Sequence, residues 1–231
     1  MKKNIDFILG APIAHRGLHG KNVPENSLKA FKLARDAGYT IELDVHLSRD
    51  GDIIVFHDDN LKRMTGKDLS IRDLTSNELR GIRMKNTREH IPLLKEVLDL
   101  VDDRVPLIIE VKNDVRAKDI CPVLIKELSD YAGRFVIKSF DPRVLRYFRK
   151  HAAYIGRGQL ATNNNVFLKN LRLNWWTRPD FISYDIRCLP NRRIENLRKK
   201  MPVLGWTVRT KADLAIAKKY CDNYICEDIL G

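Results

Sequence analysis

Short apolar runs rich in β-branched residues alternate with amphipathic segments along the whole chain. This alternation is typical of parallel βα units and disfavours a β-sandwich. The candidate strands are residues 12–15, 40–45, 106–112, 135–139, 154–160, 181–185, 202–208 and 223–226. The pattern therefore predicts an α/β fold, an eight-stranded (β/α)8 TIM barrel.

The amphipathic segments between these runs predict the helices of the barrel. They cover residues 27–37, 93–101, 118–131, 143–151, 191–200 and 212–220. Asn26 has the side chain of an N-cap for the first helix, and Gly38 is a suitable C-terminal stop.

A ninth strand-like run, residues 52–57, follows residues 40–45 too closely for a parallel crossover, which takes about a dozen residues or more. It must therefore pair antiparallel, and Asp50-Gly51 is a strong signal for a two-residue hairpin turn. Such a turn pairs Arg49 with Asp52 and brings His57 opposite Asp44 further along the ladder. Because directly opposed residues share a face of the sheet, we expect His57 beside that carboxylate.

Residues 58–90 are too polar and too long for an ordinary barrel loop and predict a small insertion over the barrel mouth. No linker divides the chain, so residues 1–231 are predicted to form a single domain. Asp6 interrupts the apolar run near the start, and we expect this segment to be retained and not removed as a signal peptide.

Hydrophobic residues make up 44% and charged residues 31% of the chain, which favours a soluble globular protein. The net charge of +12 is spread along the sequence, and its densest groups, Arg192-Arg193 and Arg198-Lys199-Lys200, lie on one predicted helix. We interpret them mainly as a solvated face and expect no nucleic-acid partner, although the charge leaves open a weak peripheral contact with an anionic membrane.

The four cysteines, Cys121, Cys188, Cys221 and Cys226, show neither a zinc-site spacing nor a disulfide pattern. Free thiols indicate a reducing, cytoplasmic location. The oligomeric state is left open.

Three carboxylates fall near the carboxyl ends of neighbouring predicted strands: Glu42 and Asp44 on the second, and Glu110 on the third. The residues that alternate with the first two are apolar, which turns the carboxylates toward the barrel axis. Burial of like charges without a cation would cost several kcal/mol, on the order of the penalty for unpaired buried ions. We therefore predict a site for one divalent cation, Mg²⁺ or Ca²⁺.

Two histidines are expected at the same barrel mouth, His15 from the first strand and His57 from the hairpin. They are candidates for a general acid and a general base, in either assignment. Arg16 offers a guanidinium fork for phosphate oxygens, and Lys112 can stabilise charge that develops on phosphorus.

Two further residues are candidates for substrate contact. Glu25 could anchor its loop or accept a hydrogen bond within the site. Trp206 ends the seventh strand, where its ring would form an apolar wall for a substrate or fill the core.

The chain contains Ala14-His15-Arg16-Gly17, Pro24-Glu25-Asn26, Glu42-Leu43-Asp44, His57-Asp58, Ile109-Glu110-Val111-Lys112 and Gly205-Trp206-Thr207-Val208 in this order. With these motifs it closely resembles the glycerophosphodiester phosphodiesterases over nearly its whole length. The resemblance implies a TIM barrel that binds a divalent metal through Glu42, Asp44 and Glu110. It also implies His15 and His57 as acid and base, and Arg16 and Lys112 as phosphate contacts.

The implied reaction is hydrolysis of a small-molecule glycerophosphodiester to sn-glycerol 3-phosphate and an alcohol. Attack by the glycerol 2-hydroxyl through a cyclic phosphate and direct attack by water are both open routes. The chain departs from the family pattern at Ser27, Tyr39-Thr40, Arg209 and Glu227, where Thr, Ala-Asp, Asn and Thr are usual. These departures leave the predicted metal cluster intact. The identity of the alcohol that is released stays open.

Two alternatives remain at this level. A lysophospholipase D-like enzyme would use the same site on an acyl-bearing diester and would show an exposed apolar rim. The second alternative is a non-catalytic basic protein that binds membrane or nucleic acid. Such a function would not require the predicted convergence of carboxylates and histidines.

Overall fold

The structure, a computed structural model, describes residues 3–85, 87–113, 116–162, 171 and 173–227. Within these residues the strands are β1 (Ile13–His15), β2 (Thr40–Leu47), β3 (Ile53–Val55), β4 (Leu107–Val111), β5 (Phe135–Ser139), β6 (Gly156–Ala161), β7 (Phe181–Asp185), β8 (Val203–Val208) and β9 (Asn223–Cys226). All except β3 pair in parallel, and β1 pairs with both β9 and β2, which closes the barrel. The predicted eight-stranded (β/α) TIM barrel is confirmed.

The described α-helices lie mainly between the barrel strands. They are α1 (Leu28–Asp36), α2 (Lys62–Thr65), α3 (Ser76–Arg80), α4 (Leu94–Val101), α5 (Ala117–Ser129), α6 (Pro142–His151), α7 (Asn174–Thr177), α8 (Arg192–Arg198) and α9 (Lys211–Tyr220). None of the described helices has both the length and the apolar character to cross a membrane. All four cysteines are free.

The N-cap predicted for the first helix was wrong by one residue. The Ser27 hydroxyl accepts a hydrogen bond from the Ala30 amide at 3.1 Å, so Ser27 caps α1. Asn26 is fully buried with φ at 55°, and its side chain turns toward the barrel mouth instead. Asn and Ser are similarly favourable N-cap residues, so the sequence alone cannot tell which of these two neighbours caps the helix. The backbone geometry identifies Ser27.

The hairpin formed by β2 and β3 is antiparallel, as predicted, but its predicted register was wrong. Val45 pairs with Val55 and Leu47 with Ile53, so Asp44 stands opposite Phe56 and not opposite His57. The physical reason is the turn: Ser48 pairs with Asp52 around a three-residue loop that ends at Gly51, whose φ is 94°. A loop of this length needs a left-handed residue at its third position, where glycine is favoured.

Residues between the hairpin and α4 form the insertion that the sequence predicts. Short helices α2 and α3 and a 3₁₀ turn (Ile71–Asp73) enclose a separate buried apolar cluster. Its members are Ile54, Phe56, Leu61, Met64, Ile71, Leu79, Ile82, Met84 and Ile91. Because this cluster includes two residues at the hairpin's end, the insertion is anchored beside the barrel mouth. The single-domain organisation of residues 1–231 stays a prediction.

Apolar side chains close the amino-terminal end of the barrel. One buried cluster combines Ile5 and Ile8, which precede β1, with one residue from each of six barrel strands. The strand residues are Ile13, Ile108, Val136, Phe181, Leu204 and Ile225. With this end filled, the inward polar side chains gather at the carboxyl ends of the strands, where TIM barrels carry their sites.

Candidate active site

The strand register places a row of polar side chains across one side of the barrel mouth. His15 of β1 pairs with Glu42 of β2, and Asp44 of β2 pairs with Glu110 of β4. Glu110 in turn pairs with Lys138 of β5. Paired residues on parallel strands point to the same face, so the four strands deliver these groups to one place.

Glu42, Asp44 and Glu110 converge as predicted. Each contributes a carboxylate oxygen that lies within 4.8 Å of the others, and all three side chains are buried. Burial would raise the pKa of both Asp44 and Glu110. Lys112 and Arg16 nevertheless hold the pKa of Asp44 well below its usual range, and Lys112 and Lys138 lower that of Glu110. Three carboxylate side chains at this spacing offer the oxygen ligands that a hard divalent cation prefers.

Two lysines bind oxygens of this carboxylate triad. Lys112 Nζ lies 2.8 Å from Glu110 Oε1 and 3.2 Å from Asp44 Oδ1. Lys138 Nζ lies 2.9 Å from Glu42 Oε1 and 3.2 Å from Glu110 Oε2. Lys112 was predicted here. Lys138 was not, although a lysine inside an otherwise apolar strand next to Glu110 is a signal that it faces a charged site.

Arg16 lies between the triad and the loop that precedes α1. Its amide donates to Glu42 Oε2 at 3.1 Å, its Nη1 donates to Glu25 Oε1 at 2.7 Å, and its Nε lies 3.3 Å from Asp44 Oδ2. These carboxylates raise the pKa of Arg16 against the opposing effect of burial. Gly17 allows the close turn that follows: a Cβ there would lie 2.7 Å from the Ala30 carbonyl carbon.

Glu25 anchors this loop, one of the two roles considered from the sequence. It pairs with Arg16 and also with Arg63 of α2, whose Nη2 lies 2.6 Å from Glu25 Oε1. Although burial opposes it, these arginines lower the pKa of Glu25 to about 2. Asn26, which sequence reasoning assigned to a cap, donates from Nδ2 to Asp44 Oδ2 at 3.0 Å.

His57 reaches the mouth by a route that the predicted register did not describe. The strand β3 ends at Val55, and the carbonyl of His57 accepts a hydrogen bond from His46 Nε2 at 3.0 Å. The ring Nδ1 of His57 lies 2.6 Å from Asp58 Oδ1, which favours the His57 tautomer that carries the proton on Nδ1. Burial lowers the pKa of His57, helped by Lys112 and Arg16 and opposed by Asp44.

His15 is held by a residue from the opposite end of the chain. Its Nδ1 hydrogen-bonds Oε1 of Glu227, which directly follows β9, and its Nε2 lies 3.8 Å from Glu42 Oε2. Arg209, which directly follows β8, binds the same carboxylate, with Nε 2.7 Å from Glu227 Oε2. Burial would raise the pKa of Glu227, but His15 and Arg209 lower it to about 2. Neither Glu227 nor Arg209 was predicted for the site, because both lie about two hundred residues from His15 in sequence.

Two adjoining cavities open at this end of the barrel. The inner one, about 260 Å³, is lined by the predicted His15, Arg16, His57, Glu110, Lys112 and Trp206 together with Lys138, Phe140, Leu160, Arg187, Thr207 and Arg209. The outer one, about 640 Å³, shares His57 and Lys112 with it and extends over the insertion. The site is therefore an inner charged pocket with an outer vestibule.

Trp206 forms part of the inner pocket's apolar side. Its ring lies 5.7 Å from that of Phe140 in an edge-to-face arrangement. It also packs against the cluster that closes the barrel base. The Trp206 ring therefore lines the pocket on one side and packs against the core on the other, the two placements considered from the sequence.

Comparisons with known proteins identify the family to which the chain belongs. The sequence model of the glycerophosphoryl diester phosphodiesterase family matches residues 15–228. The chain belongs to this family. A glycerophosphodiester phosphodiesterase of Caldanaerobacter subterraneus is 35% identical over 94% of the chain and 93% of its own length. The chain is thus an enzyme of the phosphoric diester hydrolase class.

Two further similarities are informative. The structure of an Oleispira antarctica phosphodiesterase in complex with the product sn-glycerol-3-phosphate has the same fold, with a TM-score of 0.84 at 23% identity over 94% of the chain and 92% of its own. The human lysophospholipase D GDPD1 is 35% identical over 55% of the chain and 42% of its own length. The first similarity supports the barrel fold.

Proposed function

We propose that this phosphodiesterase uses one divalent cation to hydrolyse small glycerophosphodiesters to sn-glycerol 3-phosphate and an alcohol, with His15 and His57 as general acid and base. The observation that carries the proposal is the inner pocket itself. Two histidines, each bound through Nδ1 by a carboxylate, face the same cavity as Glu110 of the buried carboxylate triad.

The roles of the side chains follow from their contacts. Glu42, Asp44 and Glu110 would hold the cation, Mg²⁺ or Ca²⁺, which withdraws negative charge from a phosphate oxygen when bound. Arg16 and Lys112 line the pocket as cations and would bind the remaining phosphate oxygens. With Nδ1 of each histidine engaged, Nε2 is the nitrogen free to take or give a proton at the reacting oxygens.

The outer vestibule supports a polar leaving alcohol. The nine residues that line it are His46, His57, Asp58, Asp59, Asn60, Lys62, Arg63, Lys112 and Asn113, and none has an aliphatic side chain. Its charged and hydrogen-bonding groups can pair with a polar or charged alcohol, whereas an acyl chain can make no such pairing. The human lysophospholipase D relative makes acyl-bearing diesters the second candidate.

The first experiment measures glycerol 3-phosphate formed from glycerophosphocholine by a coupled assay, with Mg²⁺, with Ca²⁺ and with a chelator. We expect metal-dependent activity in the wild type and, in His57→Ala, a loss of about 100-fold or more, the usual contribution of a positioned acid or base. Lysophosphatidylcholine, tested in parallel, distinguishes the second candidate. Full activity in chelator, or no activity on any glycerophosphodiester, contradicts the proposal.

A second experiment assigns the two histidines. Departure of 4-nitrophenolate needs little protonation, so loss of the general acid matters less for a glycerophosphodiester with that leaving group. We expect one of His15→Ala and His57→Ala to recover much of its activity on this substrate and the other to remain impaired. Equal impairment of both variants on both substrates would argue against divided roles.

The phosphate role of Arg16 is tested with Arg16→Ala. The expected result is a raised KM with cation binding retained, because the guanidinium acts on the phosphate and not as a metal ligand. Titration of the cation into the variant by calorimetry is the control. Unchanged KM and kcat would reject the role.

We also propose a cytoplasmic location with, at most, weak peripheral contact with anionic membranes. Free thiols support the first. The exposed arginines and lysines of α8 and its C-terminal end support the second. Sedimentation with vesicles of phosphatidylglycerol against phosphatidylcholine tests the contact, and equal binding to both would contradict it.

A further inference from the structure

The carboxylate of Glu227 lies at the junction of three strands of the barrel. Ala14 of β1 pairs with Cys226 of β9, so His15 and Glu227 continue the same ladder side by side. The Glu227 amide donates to the Val208 carbonyl of β8 at 3.0 Å, which fixes its backbone. The side chain therefore starts from a rigid position next to the imidazole.

The two oxygens of this carboxylate have defined partners. Oε1 accepts from His15 Nδ1, and Oε2 accepts from Arg209 Nε at 2.7 Å. Arg209 Nη2 also lies 3.3 Å from Oε1, so the guanidinium binds the carboxylate in a forked manner. The Glu227 side chain is only 11% exposed, whereas that of Arg209 is 53% exposed.

This arrangement determines which nitrogen His15 presents to the site. A neutral imidazole that donates from Nδ1 has its lone pair on Nε2, and the ring cannot flip without losing the carboxylate. In His15 this leaves Nε2 on the side of Glu42. A ring without that partner would be free to take the other tautomer or orientation.

The second histidine of the pocket is held in the same way by unrelated residues. His57 Nδ1 pairs with Asp58, and Asp58 Oδ2 accepts from Arg63 Nε at 2.6 Å. Each histidine therefore has a carboxylate behind it, and each carboxylate has an arginine. A surface ion pair placed by chance would not be expected to repeat this order at both histidines.

We propose that Glu227 is a positioning residue for His15 and that Arg209 acts through Glu227, although Arg209 also lines the substrate pocket. The inference rests on the proposed function of His15 as a proton-transfer group. It assigns Glu227 and Arg209 to the alignment of the imidazole and not to substrate contact.

The kinetic test compares Glu227→Gln, Arg209→Met and the double variant with the wild type on glycerophosphocholine. Glu227→Gln keeps the side-chain size and removes the charge, so we expect kcat to fall about 10- to 100-fold, part of what a positioned acid or base contributes, with KM little changed. Glu227→Asp, which retains the carboxylate, should recover part of the loss. Asp36→Asn is the control for loss of one negative charge, because Asp36 forms an exposed ion pair with Lys32 in α1.

The double variant separates the two possible actions of Arg209. If Arg209 works through Glu227, Arg209→Met lowers kcat in the wild type and has little further effect in Glu227→Gln. If it binds substrate directly, its effect falls on KM and persists in both backgrounds. The second outcome would overturn the part assigned to Arg209.

A spectroscopic measurement tests the positioning without activity. Nitrogen-15 chemical shifts of labelled histidine distinguish the two neutral tautomers, and the His15 signals are assigned by their absence in His15→Ala. We expect a dominant Nδ1-protonated form in the wild type and a shifted tautomer population in Glu227→Gln. An unchanged tautomer, or an unchanged kcat in an active enzyme, would overturn the proposal. If the wild type cleaves no glycerophosphodiester, the proposed function fails, and the tautomer measurement still decides on Glu227.

Discussion

Lys138 is the residue that most changes the electrostatic description of the site. It is 2% exposed and bridges Glu42 and Glu110 from the side of β5. A lysine this deeply buried remains charged only because its partners are ionised, and the two carboxylates raise its pKa against the effect of burial. Lys138 is therefore a built-in counterion for the same carboxylates that would hold the divalent cation.

A prediction follows for Lys138→Met. Without the ammonium, Glu42 loses its buried ion-pair partner, and we expect a loss of about 3 kcal/mol in the free energy of unfolding in chelator. A bound divalent cation would then supply the missing charge, so Mg²⁺ should raise the melting temperature of the variant more than that of the wild type. Thermal unfolding with and without Mg²⁺ measures both effects.

The control is Lys126→Met, which removes an exposed lysine of α5. It should unfold like the wild type and show the wild-type response to Mg²⁺. A Lys138→Met protein whose Mg²⁺ response equals that of the control would contradict the counterion role.

At the scale of elements, the hairpin shows what the sequence could and could not determine. Spacing alone predicted the antiparallel return after β2, and β3 (Ile53–Val55) confirms it, but His57 lies beyond this strand and not opposite Asp44. The register was wrong because Asp50-Gly51 suits both a two-residue turn and the last positions of a three-residue loop. The barrel strands were predictable from their β-branched runs. Glu227 and Asn26, in contrast, entered the site through tertiary contacts that no local pattern records.

The packing of α5 near this hairpin gives a prediction about pH. Burial, with repulsion from Asp52 in the hairpin, raises the pKa of Glu127 from 4.5 to about 7. Because the folded pKa exceeds the unfolded one, this group stabilises the fold fully below pH 4.5, and that stability is lost as pH rises through 7. Glu127→Gln removes the titration.

We expect Glu127→Gln to be more stable than the wild type at about pH 8 by roughly 1 to 2 kcal/mol, after allowance for partial exposure, and equal to it near pH 4. Urea denaturation at the two pH values measures the difference. Glu195→Gln on the exposed face of α8 is the matched control. A variant no more stable than the wild type at the higher pH would refute the assignment.

For the whole molecule, the net charge of +12 acts together with the placement of cations at the barrel mouth. Arg16, Lys112, Lys138, Arg187 and Arg209 all line the inner pocket. Each of them pairs with a carboxylate, which for Arg187 is Asp185 at the end of β7, so their local charges are largely compensated. The long-range field that an approaching substrate meets is consequently set by the excess of basic residues over the whole surface.

This field predicts a salt dependence that differs between substrates. Glycerophosphoglycerol carries a net negative charge, whereas glycerophosphocholine is a zwitterion. We expect kcat/KM for the anionic diester to fall more steeply between about 20 and 300 mM salt, because screening shortens the reach of the field from about 20 Å to less than 10 Å. The kcat of both substrates should change little, since encounter does not enter that constant. Parallel salt profiles for the two diesters would show that the excess charge does not steer substrates and serves only as a solvated or membrane-facing surface.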